Sequence, residues 1–143
     1  MNAPLIARIL GLLFLVASVA GLLPWIAPDA PYDAPVVILD AGYRDLFGIF
    51  PLNAVHDLVH SFFGIWGVLA SLRFRAAVFY LRSIAWIYLL IVILGVIPVT
   101  NTLFGVAPIY GWDIALHLIV VLVAAYGGYG RGAIAPEVQA PAA

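Results

Sequence analysis

The chain has no cysteine and no lysine, and only 9% of its 143 residues are charged. Without cysteine there are no disulfides, no thiolate metal sites and no thiol nucleophiles. So little charge cannot cover the surface of a water-soluble domain of this length. The formal net charge is -1 and the six arginines are scattered, which excludes a nucleic-acid-binding footprint. What stands in place of charge is apolar: 66% of the residues are hydrophobic and the mean hydropathy is +1.15. Membrane lipids are therefore the first expected partner. At roughly 20 apolar residues per span, the length allows one domain of about four spans.

Four apolar stretches fit that count, at about 5–23, 54–72, 77–97 and 112–130. They predict an all-α integral membrane four-helix bundle over 1–131. The Ala/Pro-rich remainder, 132–143, reads as a disordered C-terminal tail. Segment one also has the outline of a signal peptide: Arg8, an apolar run and Ser18-Val19-Ala20. A sequence repeat opposes that reading, because Arg8-x12-Gly21-x2-Pro24 in segment one matches Arg82-x12-Gly95-x2-Pro98 in segment three.

The repeat continues in the other two segments. Leu46-Phe47-Gly48-x-x-Pro51-x4-His56-x3-His60 matches Leu103-Phe104-Gly105-x-x-Pro108-x4-Asp113-x3-His117. The offset is 74 positions for segments one and three and 57 for two and four, so the first unit carries the longer connection. Two helical hairpins in parallel repeat are expected, related by a pseudo-two-fold axis along the membrane normal. Arg8, Arg73, Arg75, Arg82 and Arg131 all fall on one side of such a bundle. By the excess of basic residues on cytoplasmic loops, that side and both termini are expected inside. The loop 24–45, with Asp29, Asp33, Asp40 and Asp45, is expected outside as turns and extended chain, with a short strand at Val36 to Leu39.

Ionisable residues in apolar helices are costly and mark candidate sites. Pro51 and Pro108 suit the start of a helix, and Asn53 suits an N-cap. Asp57 and Asp113 then sit in first turns, where the helix dipole favours a carboxylate. Residues at i and i+4 share a face, so His56 points with His60 and Asp113 with His117. If both faces meet, three imidazoles and a carboxylate converge, a ligand set for a divalent transition metal. His60 and His117 as symmetry mates also permit a bis-histidine haem, although no attachment motif is present. The plainer reading, and the first expectation, is interhelical hydrogen bonding between histidine and aspartate. Small residues at Ala7, Gly11, Gly64, Gly67 and Ser71 predict close helix approach. No enzyme is expected: Ser61 follows His60, but adjacent positions on a helix do not face each other.

The stretch Phe47-Gly48-Ile49-Phe50-Pro51-Leu52-Asn53-Ala54-Val55-His56-Asp57-Leu58-Val59-His60, followed by Gly64, resembles the signature of a bacterial four-helix membrane family. That family is known only as domain of unknown function 4383. Its second signature, Asp-x3-His in the last span, is matched by Asp113 and His117, and the resemblance runs from about 7 to 128. Members often carry asparagine where this chain has Asp57 and Ile114. The resemblance implies a four-span protein of a bacterial inner membrane with no established activity. The first expected role is a structural or accessory subunit of a membrane complex, or a homo-oligomer, and the alternative is a metal- or cofactor-binding protein.

Overall fold

A computed structural model describes residues 1–135 as four helices, a two-stranded ribbon and a terminal 3-10 turn. The helices are α1 (Ala3–Gly21), α2 (Ala54–Ala70), α3 (Phe74–Gly95) and α4 (Trp112–Tyr129). α1, α3 and α4 are long and apolar enough to cross a membrane, and α2 is an apolar helix of 17 residues. Most of the expected tail lies outside the described residues; its described part includes the 3-10 turn Arg131–Ala133.

Local chemistry sets the helix ends. The Asn2 side chain accepts from the Leu5 N–H, and a proline stands in the first turn of α1, so this helix starts before the expected residue 5. α1 stops at Gly21 and α3 at Gly95, each shortly before a proline (Pro24, Pro98) that cannot continue the helix. α3 likewise starts early, at Phe74, directly after the tight turn that ends α2.

α1 packs chiefly along α2, and α3 along α4. Small residues make both approaches close. A Cβ built on Gly11 would stand 2.8 Å from the Gly64 carbonyl oxygen and 2.8 Å from the Val68 nitrogen, and one on Gly67 would stand 3.0 Å from the Ala7 carbonyl oxygen. Because the atoms in the way at Gly11 are backbone, Gly11→Ala must push the two helices apart. We expect it to lower stability by about 1–3 kcal/mol, read as an earlier unfolding midpoint in a detergent titration; an unchanged midpoint would refute the close packing.

The buried faces obey the sequence offsets. Ala3, Ile6, Ala7, Leu10, Gly11, Phe14 and Gly21 are buried in α1, and 74 positions on so are Ala77, Tyr80, Leu81, Ile84, Ala85, Tyr88 and Gly95 in α3. In α2, Gly64, Gly67 and Ala70 are buried, as are Val121, Ala124 and Gly127 in α4, 57 positions on. Arg8 Nε approaches Ser71 Oγ at 3.4 Å, and Arg82 Nε donates to the Gly128 carbonyl at 2.8 Å. Of the tyrosines and tryptophans in the helices, Tyr80 and Tyr88 are core, whereas Trp86, Trp112 and Tyr126 are exposed.

The segment between α1 and α2 departs from expectation. β1 (Arg44–Leu46) pairs antiparallel with β2 (Phe50–Leu52), with Asp45 opposite Pro51. The turn between them is left-handed at Phe47 (φ 56°) and Gly48 (φ 72°). Phe104 and Gly105 are left-handed as well, and both turns are closed the same way: Gly48 N–H to Asp45 O at 2.8 Å, and Gly105 N–H to Thr102 O at 2.9 Å. The repeated Leu-Phe-Gly is thus a turn. Pro51 belongs to β2, and Pro108 lies in the loop before the N-cap of α4, Gly111. Both prolines are fully buried and neither opens a helix. No strand forms at Val36 to Leu39. The Ile38 and Leu39 N–H groups both donate to the one carbonyl of Gly105, which leaves no ladder to extend.

Candidate metal centre

The candidate site lies where the first turns of α2 and α4 meet, beneath the segments 22–53 and 96–111 that precede them. Asn53 starts α2: its side-chain oxygen accepts from the His56 N–H at 3.0 Å. Its amide nitrogen donates to Leu39 O at 2.7 Å and to Val106 O at 2.8 Å. One fully buried side chain therefore ties the start of α2 to the segments that precede α2 and α4. It also fixes the backbone that presents His56.

His56 and His60 stand one above the other on α2, with ring centroids 4.5 Å apart. The ring of His117, from α4, lies nearly parallel to that of His56 at 5.7 Å. One ligand nitrogen from each of the three histidines falls within 4.8 Å of the other two. His56 and His117 are buried and His60 is partly buried. In all three, the buried Nδ1 lacks a hydrogen-bond partner. Asp113 does not join this group. Its Oδ2 lies 3.1 Å from His117 Nδ1, one turn away on the same helix, without the alignment of a hydrogen bond. The histidine–aspartate hydrogen bond expected first between α2 and α4 is not made among the described residues, because the Asp113 carboxylate faces His117 on its own helix.

Around the imidazoles is a pocket of about 130 Å³, walled by Val55, Val59, Ile91, Leu103, Val106, Ala107, Ile109 and Tyr88. Two aromatic residues hold the rings. Phe14 stacks on His60 at 5.3 Å, and Tyr88 meets His117 edge-on at 4.9 Å. Phe14 was not singled out from the sequence. The signal was present: Phe14 and Tyr88 are separated by the 74-residue offset, as His60 and His117 are by 57.

Asp57 is buried but points elsewhere, against Gly21, where any Cβ would collide with its carboxylate. The equivalent contact in the second unit brings Gly95 against Ile114. Ser61 bonds Ser18 Oγ at 2.7 Å and so links α1 to α2; no histidine activates it.

Above the pocket, the Tyr43 hydroxyl donates to Pro35 O at 3.0 Å and meets the Tyr110 hydroxyl at 2.8 Å. Burial pushes both phenols above the ordinary tyrosine range. Burial also raises Asp45, whose Oδ1 has no hydrogen-bond partner. The folded protein then holds the Asp45 proton more tightly than the unfolded chain. Its contribution to stability is present at low pH and is lost as pH rises above the ordinary carboxylate range. Asp45→Asn should flatten that part of a stability–pH curve; an unchanged slope would show that Asp45 does not govern it.

A family model described as "Domain of unknown function (DUF4383)" matches residues 5–130. No curated protein and no solved structure matches the chain.

Proposed function

The chain belongs to the domain of unknown function 4383 family, and we propose that it is a metal-binding membrane protein holding a divalent transition metal on His56, His60 and His117. The single observation that carries this is three neighbouring imidazoles whose ligand nitrogens lie within 4.8 Å of one another, with the buried Nδ1 of His56 and of His60 meeting no hydrogen-bond partner. Buried polar atoms are nearly always satisfied, and a bound ion is one of the few causes of a cluster of exceptions. Imidazole suits zinc, copper, nickel and iron, and ligand atoms within 4.8 Å of one another need only small ring movements to close on one ion. Asp113 lies behind His117, in the position of a carboxylate that orients a metal-bound imidazole. The small pocket leaves room for a fourth ligand such as water, whereas a haem needs far more than about 130 Å³.

In this reading the protein sits in a bacterial inner membrane as two parallel-repeat hairpins, with α2 as a fourth, short span. Both termini and the arginine end face the cytoplasm. The recurring burial pattern, the paired left-handed turns and the paired arginine contacts support the repeat. Five of the six arginines at one end, and four aspartates with only Arg44 in the loop at the other, support the orientation.

The test is elemental analysis of protein purified in detergent, followed by cobalt(II) substitution and a visible spectrum. One metal per chain, with ligand-field bands that vanish in His117→Ala, is the expected result. Failure of zinc, copper, nickel, iron and cobalt all to bind stoichiometrically would sink the reading. Metal-free protein that co-purifies with a stoichiometric membrane partner, or as a defined homo-oligomer, would favour the structural or accessory-subunit role.

A further inference from the structure

We propose a second binding site, independent of the metal centre, for the headgroup of one anionic phospholipid on the outer face of α3 at the arginine end. Arg75 and Arg82 are seven residues apart, two turns or about 10 Å along one helix face, and both are exposed. Together with Phe74, Val78, Phe79 and Ala133 they line a groove of about 280 Å³.

The charges there are not satisfied from within the protein. Arg75 makes no ion pair or hydrogen bond among the described residues. Arg82 uses Nε on Gly128 O and lays its guanidinium over the Tyr129 ring at 4.8 Å, which fixes its direction and leaves its terminal nitrogens as donors. Arg8, Arg73 and Arg131 cluster at the same end, while the six described aspartates are in the outer loops and the first turns of α2 and α4. This end therefore attracts anions and holds no described acid to compete for the arginines.

The apolar half of the groove selects a lipid over a free anion. Phe79 is 64% exposed between the two arginines, and Val78 lies beside it. A phosphate bridging Arg75 and Arg82 places its acyl chains along this apolar strip, a complement that inorganic phosphate lacks. Basic pockets beside spanning helices at a cytoplasmic face recognise lipid headgroups in this way.

The test uses the full chain in nanodiscs of phosphatidylcholine with or without phosphatidylglycerol. Retained lipid is counted by native mass spectrometry. We expect one phosphatidylglycerol kept per chain and phosphatidylcholine lost. Arg75→Gln, which removes no internal contact, should weaken retention about fivefold, the effect of one surface arginine. Arg82→Gln should weaken it at least as much, and Arg44→Gln at the opposite end should leave it unchanged. Millimolar inorganic phosphate should not displace the lipid. Equal retention of the two lipids, unchanged retention in Arg75→Gln, or displacement by phosphate alone would each overturn the site.

Discussion

Asp113→Ala is expected to weaken transition-metal binding by about 10–100-fold while the protein still folds. Removing one of the three imidazoles should weaken it by a hundredfold or more. The ordering follows from position. His56, His60 and His117 offer nitrogens that can meet on one ion, whereas the Asp113 carboxylate stands 3.1 Å behind His117 Nδ1. A ligand contributes directly: spreading the roughly 10–16 kcal/mol of a structural zinc site over four ligands gives about 3 kcal/mol each. A carboxylate behind an imidazole contributes by fixing its tautomer and raising its basicity, which is a smaller effect. Asp113→Asn should fall between Asp113→Ala and the parent, since an amide oxygen can still accept from Nδ1 but carries no charge. Competition against a chromophoric chelator gives all these affinities on one scale. If Asp113→Ala binds as tightly as the parent, the carboxylate does not orient His117. If it loses as much as His60→Ala, Asp113 is itself a ligand.

Asn53→Ala is expected to lower stability by about 3 kcal/mol, the largest effect of any single polar side chain outside the imidazole cluster. Loss of the N-cap accounts for about 1 kcal/mol. The rest comes from two carbonyls, Leu39 O and Val106 O, that lose their donor in a buried setting, at about 1–3 kcal/mol each before relaxation. Asn53→Asp does not rescue, because it restores the cap acceptor but turns a carboxylate toward those same two oxygens. Unfolding followed in detergent separates the outcomes. A loss below about 1 kcal/mol in Asn53→Ala would mean that water or a shifted loop replaces the bonds. The same variant should also weaken metal binding, because the Asn53 cap holds the backbone of His56.

The four helices were legible because each is a continuous apolar run with a capping residue or a proline near its end. The shared face of His56 and His60 was legible from their four-residue spacing. The β-ribbon was not. Phe47 takes a left-handed φ of 56°, a conformation that a phenylalanine does not announce, and the proline after it looked like the start of a helix. The partner of Asp113 was also misplaced. Spacing alone allowed a bond across to α2, whereas the side chain turns back along α4 toward His117. Phe14 escaped notice because one phenylalanine in an apolar run looks the same facing lipid or facing a histidine; only a pairwise reading of the two repeats distinguishes them.

The sequence repeat makes the molecule its own control. Ala3 with Ala77, Gly11 with Ala85, Arg8 with Arg82 and Gly67 with Ala124 keep their chemistry in both copies. The copies part company at the other end, where His56 becomes Asp113, Asp57 becomes Ile114, Ser18 becomes Val92 and Ser61 becomes Leu118. Symmetry is kept where the bundle only has to pack and broken around the imidazoles. The two halves of the chain therefore offer unlike side chains there, and under the proposed metal-binding role a bound ligand would take one orientation where two matching halves would allow two.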